Sequence, residues 1–237
     1  MVNKYSKLKI MKKLFLGLAL VGSLFTYAQE KGKSTSPVTF GVKAGLSAAT
    51  LTKADNYDND QKLKAGVYAG VFANIPIAEK FSIQPELLFS QLGSKTEDSY
   101  TYYSDNYRFK QEYDYKLNLN YITMPVMVQY NILPQLYVEA GPEFGLLLGG
   151  KSKGDRTLTE TTGNTTTTKT EKFSNKIPTE LYNKFNFGIG IGAGYYFTDN
   201  FGVTARFTAG VTDIFKENSG DAIRNNAFQV GVVYKFK

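Results

Sequence analysis

Three residue types are missing from this 237-residue sequence, which contains no cysteine, no histidine and no tryptophan. Without cysteine or histidine there is no disulfide framework, no zinc site built from those ligands and no haem attachment motif. A Ser-His-Asp triad or a Cys-His pair is equally impossible. Catalysis would have to depend on carboxylates, lysine or tyrosine, and the sequence shows no constellation of that kind. We therefore expect no enzyme activity, no catalytic residues, no cofactor and no metal site.

Long apolar runs are also scarce. The run at residues 14–25 holds 12 residues, whereas a membrane-spanning helix needs about 20. It follows Lys12 and Lys13 and precedes Ala28, which is the pattern of a secretory signal peptide with a basic start, an apolar core and a small residue before the cut. We predict a cleaved signal peptide at residues 1–28, a short periplasmic N-terminal segment at residues 29–37 and one further domain at residues 38–237.

An excess of positive charge is absent from that domain. The whole chain has a net charge of +7, but five of its 28 basic residues and none of its 21 acidic residues precede residue 29. The remainder therefore has a net charge of +2. This balance does not favour a nucleic-acid partner.

The sequence is rich in residues that favour strands. It contains 17 phenylalanines, 17 tyrosines and 22 glycines, a mixture that suits strands better than helices. Apolar residues alternate with small or polar ones in eight segments, which is the period of a strand with one apolar face. The eight segments lie at about residues 40–47, 66–75, 81–90, 113–130, 136–146, 185–195, 201–210 and 228–236.

The fourth segment changes phase. Leu117, Leu119 and Tyr121 share one parity, and the other parity holds Met124, Val126 and Val128. One extra residue in a strand shifts the phase in this way, and Pro125 fits a bulge better than a regular ladder. We therefore predict a β-bulge near residues 122–125.

The connections between the segments alternate in length. Short turns are predicted near residues 76–80, 131–135 and 198–200, and long polar stretches near residues 48–65, 97–112, 151–182 and 216–225. Short periplasmic turns alternating with longer extracellular loops are typical of an outer-membrane barrel. The prediction is an all-β fold, namely an eight-stranded antiparallel up-and-down transmembrane β-barrel. It would be a monomer in the outer membrane, with its apolar face in contact with the lipid.

The opposite face of these strands carries charges that would lie in the lumen. Buried charges persist only when they are paired and hydrogen-bonded, so we predict an ionic network that crosses the interior and closes it. A proton relay or a selectivity filter is the alternative for the same residues. The predicted members are Lys43, Glu86, Glu139, Glu143, Arg206 and Lys235.

Three polar stretches between the strands were considered as sites. Residues 55–60 are rich in side-chain oxygens but lack the glycine at position 6 and the closing glutamate of an EF-hand loop. We expect a solvated loop there. The tyrosines at residues 100–107 are expected to extend the barrel wall as strands. The threonine-rich residues 157–170 are expected to form a mobile tip without a core.

Several strand sequences resemble the PorT-like, porin-like outer-membrane β-barrel family typical of Bacteroidota. The matching stretches are FGVKAGL at 40–46, QPELLFSQ at 84–91 followed by Gly93, VEAGPEFG at 138–145, FGIG at 187–190 and FQVG at 228–231. The resemblance implies an eight-stranded outer-membrane barrel and supplies no catalytic residues. The function of most members is poorly defined, and one branch assists protein secretion and gliding.

The sequence therefore predicts a non-enzymatic scaffold or an accessory component of the cell envelope that presents four extracellular loops. Its partners would be outer-membrane lipid and envelope proteins that bind the loops or the periplasmic turns. The alternative is a narrow, porin-like channel for small solutes. That channel would need an open path along the glycine-rich sixth segment, which contains Gly188, Gly190, Gly192 and Gly194.

Overall fold

A computed structural model describes residues 37–52, 60–217 and 220–236. The predicted signal peptide, nearly all of the N-terminal segment and residues 55–59 of the oxygen-rich loop lie outside the described residues. The described residues form ten strands and one short 3₁₀ helix at Thr179–Leu181. The strands are β1 (Thr39–Leu51), β2 (Asp60–Lys62), β3 (Lys64–Pro76), β4 (Phe81–Ser104), β5 (Tyr107–Asn131), β6 (Leu136–Thr162), β7 (Thr165–Lys176), β8 (Phe185–Tyr196), β9 (Phe201–Gly210) and β10 (Asn225–Lys235).

Eight of these strands close into a ring. Each pairs antiparallel with its neighbours in the order β1, β3, β4, β5, β6, β8, β9 and β10, and β10 returns to β1 with Ala44 opposite Val232. The remaining strands, β2 and β7, pair with β4 and β6 beyond the ring. Closure satisfies the backbone groups of the ring without leaving a free edge. The eight-stranded antiparallel up-and-down barrel is therefore confirmed.

The two ends of the barrel differ. Short turns at residues 77–80, 132–135 and 197–200 connect strands at one end, which we call the short-turn end. We call the opposite end of the barrel the hairpin end. There β4 and β5 continue as a long ladder to a turn after Ser104. The prediction that the tyrosine-rich stretch extends the wall as strands is confirmed.

The threonine-rich stretch has a regular backbone. It forms the end of β6, a turn at Gly163 with φ of 56° and the start of β7. Threonine favours strands, and its hydroxyls pair across the hairpin, with Thr157 and Thr170 Oγ1 atoms 3.1 Å apart. The expected tip is thus a β-hairpin, and its exposed side chains form no core.

The β-bulge predicted near residues 122–125 is wrong. Alternate residues of β5 face the lumen throughout the ring, and β5 keeps one register with β4. The irregularity lies in β6, where Leu148 is the extra residue between the partners of Asn120 and Tyr121. The apolar pattern changes phase because the lumen itself becomes apolar toward the hairpin end, so that Leu119 is completely buried inside.

The outer face of the ring is apolar. Its exposed side chains include Leu46, Val71, Leu87, Ile189, Ile191, Phe228 and Val230. An apolar surface of this extent suits contact with lipid chains. Aromatic residues gather near the short-turn end, where the rings of Phe81 and Tyr130 lie 5.0 Å apart and those of Tyr195 and Phe197 5.3 Å apart. Such aromatic girdles mark the boundary between membrane and water. Among the described residues, no helix has the length and apolar character needed to cross a membrane.

Candidate functional site

Four charged side chains meet at the centre of the lumen. Arg206 of β9 donates two hydrogen bonds to Glu86 of β4, at 2.7 and 2.9 Å, and its Nε atom donates a third to Glu139 of β6 at 2.7 Å. Lys43 of β1 donates to Glu86 at 2.8 Å. The four residues are only 2% to 4% exposed. Two cations and two carboxylates therefore balance each other in an environment from which water is excluded.

Amide side chains complete this network on its β3–β5 side. Gln84 donates to Glu86 at 2.8 Å, and Gln129 donates to Glu139 at 3.0 Å. Asn74 donates to the Gln129 oxygen at 2.8 Å. These contacts supply the carboxylates with donors beyond the two cations, which is the condition for stable buried charge. None of the three amides was among the predicted members of the network, although alternation along β4 places Gln84 on the same face as Glu86.

Two of the six predicted network residues lie outside it. Glu143 contacts the Thr208 hydroxyl at 3.5 Å, and no cation of the described residues lies within 4 Å of its carboxylate. The Lys235 ammonium lies 3.9 Å from the centre of the Tyr196 ring. Parity predicts the face on which a side chain lies but not its height along the barrel, and Lys235 is at the short-turn end of β10, away from Arg206.

An aromatic cluster fills the lumen at the short-turn end. Tyr137, Phe72, Tyr196 and Val233 pack together, and the rings of Tyr137 and Tyr196 lie 5.9 Å apart. These residues come from β6, β3, β8 and β10. The cluster therefore lies in the lumen between the ionic network and this end of the barrel.

A larger apolar cluster fills the lumen at the hairpin end. The 3₁₀ region and the β9–β10 connection fold inward to join it, contributing Tyr182 and Ile214. A cavity of about 550 Å³ lies against this cluster and is lined in part by Ser94 and Leu117. This apolar layer was not predicted, although the phase change in the fourth alternating segment is a sequence signal for it. The buried members of the cluster are Ala49, Leu51, Leu92, Leu117, Leu119, Tyr121, Leu147, Ile177, Tyr182, Ile214 and Ala227.

The space beside the glycines of β8 is occupied. A Cβ atom added to Gly190 would lie 2.7 Å from the Met127 methyl carbon, and one added to Gly194 would overlap the ring of Tyr137. Large side chains thus lie against the β8 backbone at these two glycines, the Met127 side chain from β5 and the Tyr137 ring from the neighbouring strand β6.

Nothing in the described residues resembles a metal centre, because no group of three or more acidic side chains is arranged to hold an ion. The network instead cross-links distant strands, since Arg206 is separated from Glu86 by 120 residues and from Glu139 by 67. The four charged side chains therefore link β1, β4, β6 and β9 across the lumen.

A comparison with protein-family models agrees with this architecture. The family model described as outer membrane protein beta-barrel domain matches residues 27–216. Among solved structures, the chain is similar to Neisserial surface protein A, with 15% identity, a TM-score of 0.43 and coverage of 85% of this chain and 100% of that one. It is also similar to the attachment invasion locus protein Ail of Yersinia pestis, with 12% identity, a TM-score of 0.41 and the same coverage of both chains.

No curated protein sequence matches the chain. The family match covers more than half of it, including seven of the eight strands of the ring. The chain belongs to the outer membrane protein beta-barrel domain family.

Proposed function

We propose that the protein is a closed, non-enzymatic barrel that acts as a scaffold or accessory component of the envelope. The observation that carries this proposal is the filling of the lumen in three successive layers. The aromatic cluster, the ionic network and the apolar cluster each join side chains from several strands. A barrel of eight strands has an interior just wide enough for side chains to fill, and this one uses that space for packing.

The hairpins supply the surface for partners. With short turns on the periplasmic side, the long hairpins lie outside the cell. Tyr100, Tyr102 and Tyr103 are 61%, 49% and 66% exposed on the β4–β5 hairpin, and exposed aromatic side chains are frequent anchors in protein interfaces. The PorT-like resemblance of the strands further supports an accessory role in an envelope machine. Export by a cleaved signal peptide and a monomeric barrel are parts of the same proposal.

Conductance across a planar bilayer tests the closed lumen. We expect the refolded protein to give no unitary current steps, while a heat-dependent gel shift of the same sample shows that it is folded. A variant in which Arg206, Glu86 and Glu139 are all replaced by alanine, checked for folding in the same way, controls for whether an opened lumen would be detected. Steady unitary steps from the wild-type protein would contradict the proposal and support the narrow channel instead.

A further inference from the structure

A row of lysines crosses the outer face of the barrel at the hairpin end. Lys62 of β2 lies opposite Lys95 of β4, Lys95 lies opposite Lys116 of β5, and Lys116 lies opposite Lys153 of β6. Neighbouring strands are about 4.8 Å apart, so the row extends about 15 Å. Like charges directly opposite each other destabilise a sheet. We therefore expect a negatively charged group to lie beside this row of lysines.

Two of the four lysines in the row, Lys62 and Lys95, have carboxylate partners within the protein. Lys62 and Lys95 both form ion pairs with Glu97, and Lys95 also pairs with Asp114 at 3.1 Å. Hydrogen bonds from Lys62 and Lys95 lower the pKa of Glu97 to about 2. Glu97 is therefore ionised at neutral pH and remains ion-paired with both ammonium groups.

The other half of the row has no such partner. No carboxylate of the described residues lies within 4 Å of the Lys116 or Lys153 ammonium. The same holds for Lys151, two residues from Lys153 on β6. We call these three residues, Lys116, Lys151 and Lys153, the lysine patch. The nearest acidic positions, Asp114 and Asp155, lie opposite each other on the side farther from the ring.

The lysine patch adjoins the apolar band of the barrel. Ser152 lines the internal cavity, so Lys151 and Lys153 on either side of it face outward. On the same strand, Leu146 and Leu148 face outward and are 38% and 56% exposed. The positive charge therefore begins within about 10 Å of the last leucine that contacts lipid chains, at two to three residues of strand rise.

We propose that the lysine patch binds the phosphate groups of outer-leaflet lipid headgroups. Ammonium groups bind phosphate as point charges, and long lysine side chains reach from the protein wall to the membrane interface. A lipid carries both a phosphate and acyl chains, which suits the neighbouring outward positions of Lys151 and Leu148. The inference rests on the proposed orientation, in which the hairpins emerge from the outer leaflet.

The test compares lipids that differ only in phosphate. Full-length protein would be refolded in micelles of a neutral detergent. It would be titrated with lipid A that carries two phosphates and, separately, with the same lipid after the phosphates are removed. Native mass spectrometry would count the bound lipid molecules. We expect the variant with Lys116→Gln, Lys151→Gln and Lys153→Gln to bind phosphorylated lipid A at least about tenfold more weakly than the wild type, since each lysine near the surface adds to the attraction.

A matched control removes the same charge elsewhere. Lys110 and Lys169 are paired with Glu112 and Glu171, and Lys80 lies at the short-turn end. Replacement of these three by glutamine should leave lipid A binding within about twofold of the wild type, because they lie outside the patch.

Three outcomes would overturn the proposal. They are equal binding of the dephosphorylated lipid, an equal loss in both variants, and displacement of the lipid by inorganic phosphate at similar concentration, which would indicate a site for free anions. A conducting lumen would leave this test unaffected because the lysine patch lies on the outer face, so the two proposals fail separately.

Discussion

Arg206 is the residue on which the interior of the barrel depends most. Its planar guanidinium binds one carboxylate through two parallel hydrogen bonds and a second carboxylate through Nε. A lysine could not make this set of contacts, because its ammonium is a point charge without the fork geometry. Lys43 completes the charge balance by binding Glu86 from the other side. The arginine therefore connects strands β4, β6 and β9 across the lumen.

Replacement of Arg206 by methionine is expected to lower the free energy of unfolding by about 3–5 kcal/mol, because it leaves buried carboxylates without their cation. The measurement is urea unfolding of the protein in micelles. Because the chain has no tryptophan, the folded fraction is monitored by the heat-dependent gel shift. Lys235→Met is the matched control, with an expected loss of about 0.5–2 kcal/mol from its contact with the Tyr196 ring. Equal losses in the two variants would show that the network adds nothing beyond removal of a lumen cation.

The β6–β7 hairpin extends from the ring beside the β4–β5 hairpin, with Thr162 opposite Tyr107. Its strands pair from Lys151 and Lys176 to Thr162 and Thr165, and most side chains of β7 are exposed. Threonine hydroxyls and the Lys169–Glu171 ion pair line its surface. Exposed ion pairs and hydroxyl contacts of this kind add little to stability. We therefore expect the outer part of this hairpin to contribute little to the stability of the barrel.

Replacement of residues 157–170 by a two-residue Asn-Gly turn is expected to leave the barrel folded. The free energy of unfolding should change by no more than about 1 kcal/mol, since loop length affects closure only weakly. The heat-dependent gel shift and the urea midpoint measure this. A variant that no longer refolds would show that the hairpin takes part in assembling the ring.

At the scale of the whole molecule, the chain ends of the barrel domain meet. β1 and β10 pair over eleven residue positions, from Gly41 with Lys235 to Leu51 with Asn225. This ladder turns an open sheet into a ring in which every strand has two neighbours. In a lipid environment an unpaired edge costs several kcal/mol for each unsatisfied backbone group. The final strand is therefore required for insertion rather than only for added stability.

Truncation after Arg224 removes β10 and is expected to abolish the folded, heat-modifiable form entirely. The edges of β1 and β9 would be left without partners in the bilayer. Refolding into vesicles followed by protease digestion provides the measurement, with a variant that lacks only Phe236 and Lys237 as the control. A protease-resistant barrel from the truncated chain would contradict the requirement for closure.

The strand pattern and the alternation of turns were predictable from the sequence because both are local properties. A period of two places Phe228 and Gln229 on opposite faces wherever the strand lies, and the length of a connection is set by the chain alone. The eight-stranded ring followed from these two features. The lumen parity of Lys43, Glu86, Glu139 and Arg206 was predicted in the same way, and the structure brings these four together.

Only the tertiary structure decided which lumen residues meet, because contact across a barrel depends on register and on height along the axis. Lys235 shares its face with Arg206 but lies at another level, against Tyr196. The phase change near Tyr121 was interpreted wrongly as a bulge. In the wall of a filled barrel, the lumen face of a strand can be apolar as well as its outer face. The local pattern determines the face of each side chain, and the closed ring determines its partner.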